Sequence, residues 1–139
     1  GAITLGTLDG ANIEIKDAVG DDNIFIFGMK TEEVNDLKRQ GYNPCHYYES
    51  NPVIKNCIDR MYHGINGCTF NEVANSLKDS DPYMVLADFD SYRKIQAYSS
   101  ECYKDQKKWT QMSLNNIAGA GIFSADRAVT EYAKDIWGL

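Results

Sequence analysis

The sequence predicts an α/β fold, two or three short strands followed mostly by helices. Three observations carry this. The apolar runs at residues 3–8 and 23–28 ("NIFIFG") are short, unalternating and bounded by turn residues, as strands buried on both faces are. Between them lies "DGANIEIKDAVG", a turn and a short helix. From Tyr42 onward apolar residues recur at helical spacing almost to the end.

Each element has a local reason. Residues 3–8 form the first strand, and Asp9 or Gly10 starts a helix or turn that runs through Ala18 and ends at Gly20. After the second strand, Thr31 is placed as an N-cap, with Glu32 and Glu33 in the first turn and Gly41 as the stop. Asn51-Pro52 caps a helix whose stripe is Val53, Ile54, Cys57, Ile58 and Met61. Asn71 to Lys78 follows, with Val73, Ala74 and Leu77 inward. "YMVLAD" reads as a short strand or extended link, so the next helix is expected to start at Asp90 or Ser91, with Tyr92, Ile95, Cys102 and Tyr103 along one side. Asp105 caps a helix through Trp109, Met112 and Ile117, closed by Gly119 and Gly121. Ser124 caps the last, whose broad apolar face is Val129, Tyr132, Ala133, Ile136 and Trp137. Two strands buried on both faces need sheet neighbours that these helices do not supply, so the chain reads as a piece of an α/β domain.

Charge and composition exclude several classes. A net charge of −6 argues against a nucleic-acid or anionic-membrane surface, and the one basic knot, "YKDQKKW", reads as a solvated helix face. The longest apolar stretches are far too short to span a bilayer, and no secretory leader opens the chain. The four cysteines form no C-x-x-C pair and no glycosylation sequon occurs, which fits a reducing, cytoplasmic setting. They are expected to be buried or half-buried free thiols; a zinc site from Cys45, Cys57, His63 and Cys68 lacks the close ligand pairs that such sites use.

No catalytic constellation stands out. "GAITLGTLDGA" matches neither G-x-G-x-x-G nor G-x-x-x-x-G-K-[ST]. A glycine turn entering a helix can still bind an anion, but Asp9 is expected to satisfy the helix N–H groups itself and to repel phosphate. Asp79-Ser-Asp81 and Asp88-Phe-Asp90 have the form of a divalent-metal pair, yet both fall at expected helix starts, where aspartate serves as a cap. Neither His46 nor His63 stands near a nucleophile motif. Tyr47, Tyr48, Tyr62, Tyr83 and Tyr98 offer rings for stacking on sugars, the alternative being half-buried packing with a wet hydroxyl.

Four stretches read together add a resemblance. "GAITLGTLDGANIEI", "NIFIFGM" followed by "TEEV", "YKDQKKWTQMSLNNIA" and "FSADRAVTEYAKDIW" are similar, in order and spacing, to the C-terminal end of glycogen and starch phosphorylases. Gly6 to Glu14 and Ser124 to Trp137 carry the likeness most specifically, and residues 64–81 least. The resemblance implies that residues 1–139 are the C-terminal, incomplete portion of the second Rossmann-like (GT-B type) domain of an enzyme that releases glucose 1-phosphate from an α-1,4-glucan and phosphate. It also implies pyridoxal 5′-phosphate, held by a lysine and a glycine-rich segment that lie just before the position of Gly1. No catalytic, cofactor-binding or metal-binding residue is therefore expected in this chain. Its role would be scaffold, its partner the remainder of the phosphorylase, and alone it would be inert and prone to self-association through open strand edges. The alternatives are a stand-alone interaction or regulatory module with the same fold, or a phosphate binder built on the Gly6 to Gly10 turn.

Overall fold

A computed structural model describes residues 1–139. Strands β1 (Leu5–Thr7) and β2 (Phe25–Phe27) pair in parallel, Leu5 opposite Phe25 and Thr7 opposite Phe27. A parallel pair needs a crossover; here it is helix α1 (Ala11–Val19) and a 3-10 turn at Asp21–Asn23. There are two strands and not three, each the middle of its predicted run. Helices follow: α2 (Thr31–Gln40), α3 (Pro44–Ser50), α4 (Pro52–His63), α5 (Asn71–Asp79), α6 (Val85–Lys104), α7 (Gln106–Gly119) and α8 (Ala125–Tyr132), which runs into a π turn at Ala133–Trp137.

The chain divides into two compact units, Gly1–Phe27 with Ile95–Leu139, and Gly28–Lys94. In the first, Phe25, Cys102 and Met112 are the buried centre, with Ile3, Leu5, Ile95 and Trp109 packed on it. The Phe25 ring stacks on Trp109 at 6.1 Å and meets the edge of Tyr98 at 5.8 Å. Buried Asn116 ties α7 to the 3-10 turn before β2 by donating to the Asn23 carbonyl at 2.8 Å. Gly119 ends α7 directly against α1: a β-carbon there would lie 2.9 Å from Val19 Cγ1 and 3.0 Å from the Ala18 carbonyl oxygen. Gly119→Ala is therefore expected to cost about 1–3 kcal/mol despite alanine's better helix propensity, measured as a fall in urea midpoint.

In the second unit, Ile54, Ile58, Ala74 and Leu86 form the core, flanked by Tyr47, Tyr48, Met61, Tyr62, Leu77 and Phe89. The α4 stripe is narrower than predicted, because Val53 and Cys57 are exposed. Val73 of α5 likewise faces outward while Ala74 is fully buried. Asn51 caps α4 as predicted, its side-chain oxygen accepting from Val53 and Ile54. The α2 cap shifts by one residue: Lys30 is the N-cap, and its N–H donates to Glu33 Oε2 at 2.7 Å.

The largest difference from the sequence reading is α6. It begins at Val85, so "YMVLAD" is neither strand nor link, and Asp88, Asp90 and Ser91 lie inside the helix. The cause is Asp81, whose two carboxylate oxygens accept the Val85 and Leu86 N–H groups at 2.9 and 2.8 Å. Positive φ at Asp81 (33°) and Met84 (55°) folds the chain back so that this distant carboxylate reaches the helix start. Ile95 and Cys102 pack inward as predicted, whereas Tyr92 and Tyr103 are exposed.

Candidate functional site

The opening turn is filled by its own side chains. Asn12 Nδ2 donates to the Thr7 carbonyl at 2.8 Å, and Thr7 Oγ1 donates to Asp9 Oδ1 at 3.0 Å. A β-carbon at Gly6 would lie 2.5 Å from Asn12 Nδ2, so this glycine makes room for a side chain of the same turn. The expectation that Asp9 caps α1 is not met: Gly10, at φ +47°, is the N-cap, with no side-chain cap bond. Asp9 binds the Thr7 hydroxyl instead, leaving an uncommitted negative charge beside the turn. A phosphate meets carboxylate repulsion and no glycine cradle here.

The four residues considered for zinc do not converge, and no three His, Cys, Asp or Glu side chains are placed so that they could hold a metal ion. Cys45 Sγ reaches Glu49, and His63 Nδ1 bonds the Asp59 carbonyl. All four cysteines are free; Cys102 is buried and Cys45 half-buried, but Cys57 and Cys68 are exposed, contrary to the sequence expectation. Cys57 falls on the outer side of α4, and Cys68 sits in a small turn closed by the Ile65–Cys68 bridge.

The two aspartate pairs do not both stand at helix starts: Asp79 ends α5, Asp88 and Asp90 lie inside α6, where Asp90 accepts from Asn51 Nδ2, and only Asp81 caps a helix. Asp81 is 1% exposed and also accepts the Tyr42 hydroxyl at 2.6 Å. Burial, followed by this hydrogen bond, pushes the Tyr42 phenol far above the ordinary tyrosine range. Asp88 Oδ1 accepts the Met29 N–H at 2.8 Å, while Ser91 Oγ accepts that of Gly28. Burial raises the Asp88 carboxyl, the Met29 bond opposes this, and neighbouring Glu33 and Asp81 add to the rise. With the folded value raised, the neutral form favours folding, so stability falls as pH climbs from the ordinary carboxylate value through the raised one. Asp88→Asn should consequently be more stable relative to wild type at pH 7 than at pH 3, read from urea midpoints at both.

The tyrosines make no common platform. The Tyr48 hydroxyl donates to Asp59 at 2.7 Å and receives Lys55 at 2.7 Å, and the bond from Tyr48 holds the Asp59 carboxyl below its usual range. Tyr62 bonds Asn75, Tyr47 packs on Tyr42, and Tyr83 projects alone from the turn before α6. The Tyr42–Asp81 pair was not signalled by sequence, since its members stand 39 positions apart.

What the geometry offers is packing, capping and strand pairing, with no nucleophile, base or metal constellation assembled. A family model described as carbohydrate phosphorylase matches residues 1–139. The chain is 46% identical to the glycogen phosphorylase of Synechocystis sp., 41% to the brain form of Homo sapiens and 41% to the muscle form of Rattus norvegicus. Each match covers all of this chain and 17% of the relative, so the chain spans about one sixth of their length. Matched from end to end by the family model, the chain belongs to the carbohydrate phosphorylase family.

Proposed function

We propose that residues 1–139 are a scaffold segment of an α-1,4-glucan phosphorylase, an enzyme releasing glucose 1-phosphate from glycogen or starch with inorganic phosphate. The observation that carries this is the match over the whole chain to glycogen phosphorylases of which it spans only 17%. In this reading the segment completes the second Rossmann-like domain of a GT-B fold in the cytoplasm, and its partner is the remainder of the same polypeptide. Two features support it. The strand pair has open edges. From Ile117 onward a row of large apolar side chains stands uncovered, among them Val129, Tyr132, Ile136 and Trp137, the last 59% exposed. By the same reasoning the isolated chain self-associates.

Pyridoxal 5′-phosphate, which the reading implies for the whole enzyme, does not fit the residues of this chain. The Gly6 to Asn12 turn is occupied by Asn12 and flanked by Asp9, and Lys16 on α1 is paired with Asp21 at 2.6 Å. The cofactor is assigned to residues outside this chain. The test is release of glucose 1-phosphate from glycogen and phosphate. The full-length protein containing these residues is expected to be active and the 139-residue chain inactive; inactivity of the former, folded and loaded with cofactor, would refute the reading.

A further inference from the structure

The first unit carries an open groove of about 950 Å³, at the upper end of the roughly 300–1,000 Å³ typical of ligand sites. Its floor is apolar: Ile24, Phe25, Ile95 and Met112. Its rim balances in charge, Lys16, Lys107 and Lys108 against Asp21, Asp22 and Asp105. That balance disfavours both an anion, which would face three carboxylates, and a cation, which would face three ammonium groups. Between the charges stand the amides of Asn23, Gln111 and Asn115, joined in a chain. Gln111 donates to Asn115 Oδ1 at 3.1 Å, Asn115 to Asn23 Oδ1 at 2.9 Å and Asn23 to the Val19 carbonyl at 2.7 Å. This leaves the Gln111 carbonyl oxygen and one N–H of each amide for a ligand. Tyr98 also lines the groove, the residue 53% exposed and its ring held edge-on by Phe25.

Not all of this chemistry is used internally. Lys16 is paired with Asp21, and Asp105 caps α7 at the Lys108 N–H. Asp22, the ammonium groups of Lys107 and Lys108, and the Tyr98 hydroxyl have no hydrogen-bond or ion-pair partner within the chain. An acceptor-only carboxylate, donor-only ammonium groups, and the remaining amide N–H groups with the Gln111 carbonyl oxygen, set around one exposed ring, suit a neutral ligand dense in hydroxyls, whose every oxygen both donates and accepts.

We propose that this groove is an accessory saccharide site that holds a stretch of neutral glucan, with Asp22, Lys107 and Gln111 taking ring hydroxyls and Tyr98 lying against a sugar face. The choice of an α-1,4-glucan among neutral saccharides rests on the phosphorylase reading. The groove is separate from the opening turn, so the site adds hold on the polymer and no chemistry.

Affinity electrophoresis of the full-length protein through gels containing glycogen tests this directly. The combined Asp22→Ala and Lys107→Ala substitutions, both at exposed positions, are expected to raise the apparent Kd for glycogen about tenfold, as loss of two or three hydrogen bonds to the ligand implies. Lys134→Ala, an exposed lysine outside the groove, should leave it unchanged. Tyr98→Ala should act in the same direction, with its melting temperature recorded because it packs on Phe25. Wild-type retardation with phosphorolysis, but equal retardation of the double variant, overturns the accessory site and leaves the phosphorylase reading standing. A protein that binds glycogen through the groove yet releases no glucose 1-phosphate overturns that reading and leaves the site.

Discussion

Asp81→Ala is expected to destabilise the unit Gly28–Lys94 by about 3–5 kcal/mol, because one buried carboxylate accepts three hydrogen bonds at once. Two of these satisfy the first N–H groups of α6, which no other side chain reaches; the third holds the Tyr42 hydroxyl. Tyr42→Phe removes only the last and should cost about 1–2 kcal/mol. Asp81→Asn keeps one acceptor oxygen and should fall between them. Urea midpoints rank the three, and hydrogen exchange at Val85 and Leu86 should accelerate in Asp81→Ala and not in Tyr42→Phe. Equal costs for Asp81→Ala and Tyr42→Phe would mean that the carboxylate does not cap α6.

Ile58→Ala is the second large effect, about 2–5 kcal/mol. Ile58 is 1% exposed and stands at the centre of the cluster with Ile54, Ala74 and Leu86. Ala74 carries only a methyl, which cannot swing into the void, so the cavity should persist and the cost should fall in the upper half of the range. Ile58→Val, which deletes one methylene, should cost about 0.5–1.5 kcal/mol. Cys57→Ser, one position along the same helix but exposed, should change stability by less than about 0.5 kcal/mol. Similar midpoints for Cys57→Ser and Ile58→Ala would contradict the assignment of the α4 inner face.

Sequence reading succeeded where local chemistry decides. Pro52 behind Asn51, Gly41 after α2 and Asp105 before α7 mark helix ends by contacts within a few residues, and the structure places those ends there. The strand pair was legible for the same reason, its apolar runs being separated by the turn at Asp9-Gly10 and the helix stop at Gly20, with Asp21-Asp22 and Gly28 bounding the second. The start of α6 was not. An aspartate that caps from four residues upstream, through two non-glycine residues at positive φ, leaves no periodic signal. Exposure was the other blind spot. Val73, Ile117 and Val129 have the spacing of core residues, and spacing cannot tell which apolar positions a neighbouring element covers. The groove flanked by Tyr98, Asp22 and Lys107 was hidden likewise, because its lining comes from α1, β2, α6 and α7 at separations that only the fold brings together.

The candidate site divides in the same way. Of the four aspartates read as helix caps only Asp81 caps a helix; Asp79 ends α5, and Asp88 and Asp90 lie inside α6, where Asp88 holds the Met29 backbone. The family itself was carried by two blocks at opposite ends of the chain, Gly6 to Glu14 and Ser124 to Trp137. Both are structural in this fold: the first is a self-filled turn and the second an amphipathic helix with its apolar face uncovered.

The central claim is that these residues brace a phosphorylase without holding its cofactor. Borohydride reduction of the full-length protein, followed by peptide mapping of the pyridoxyl group, tests it most directly. The label is expected on a single lysine outside residues 1–139. A pyridoxyl group on Lys16, Lys30 or any other lysine of this chain would contradict the claim.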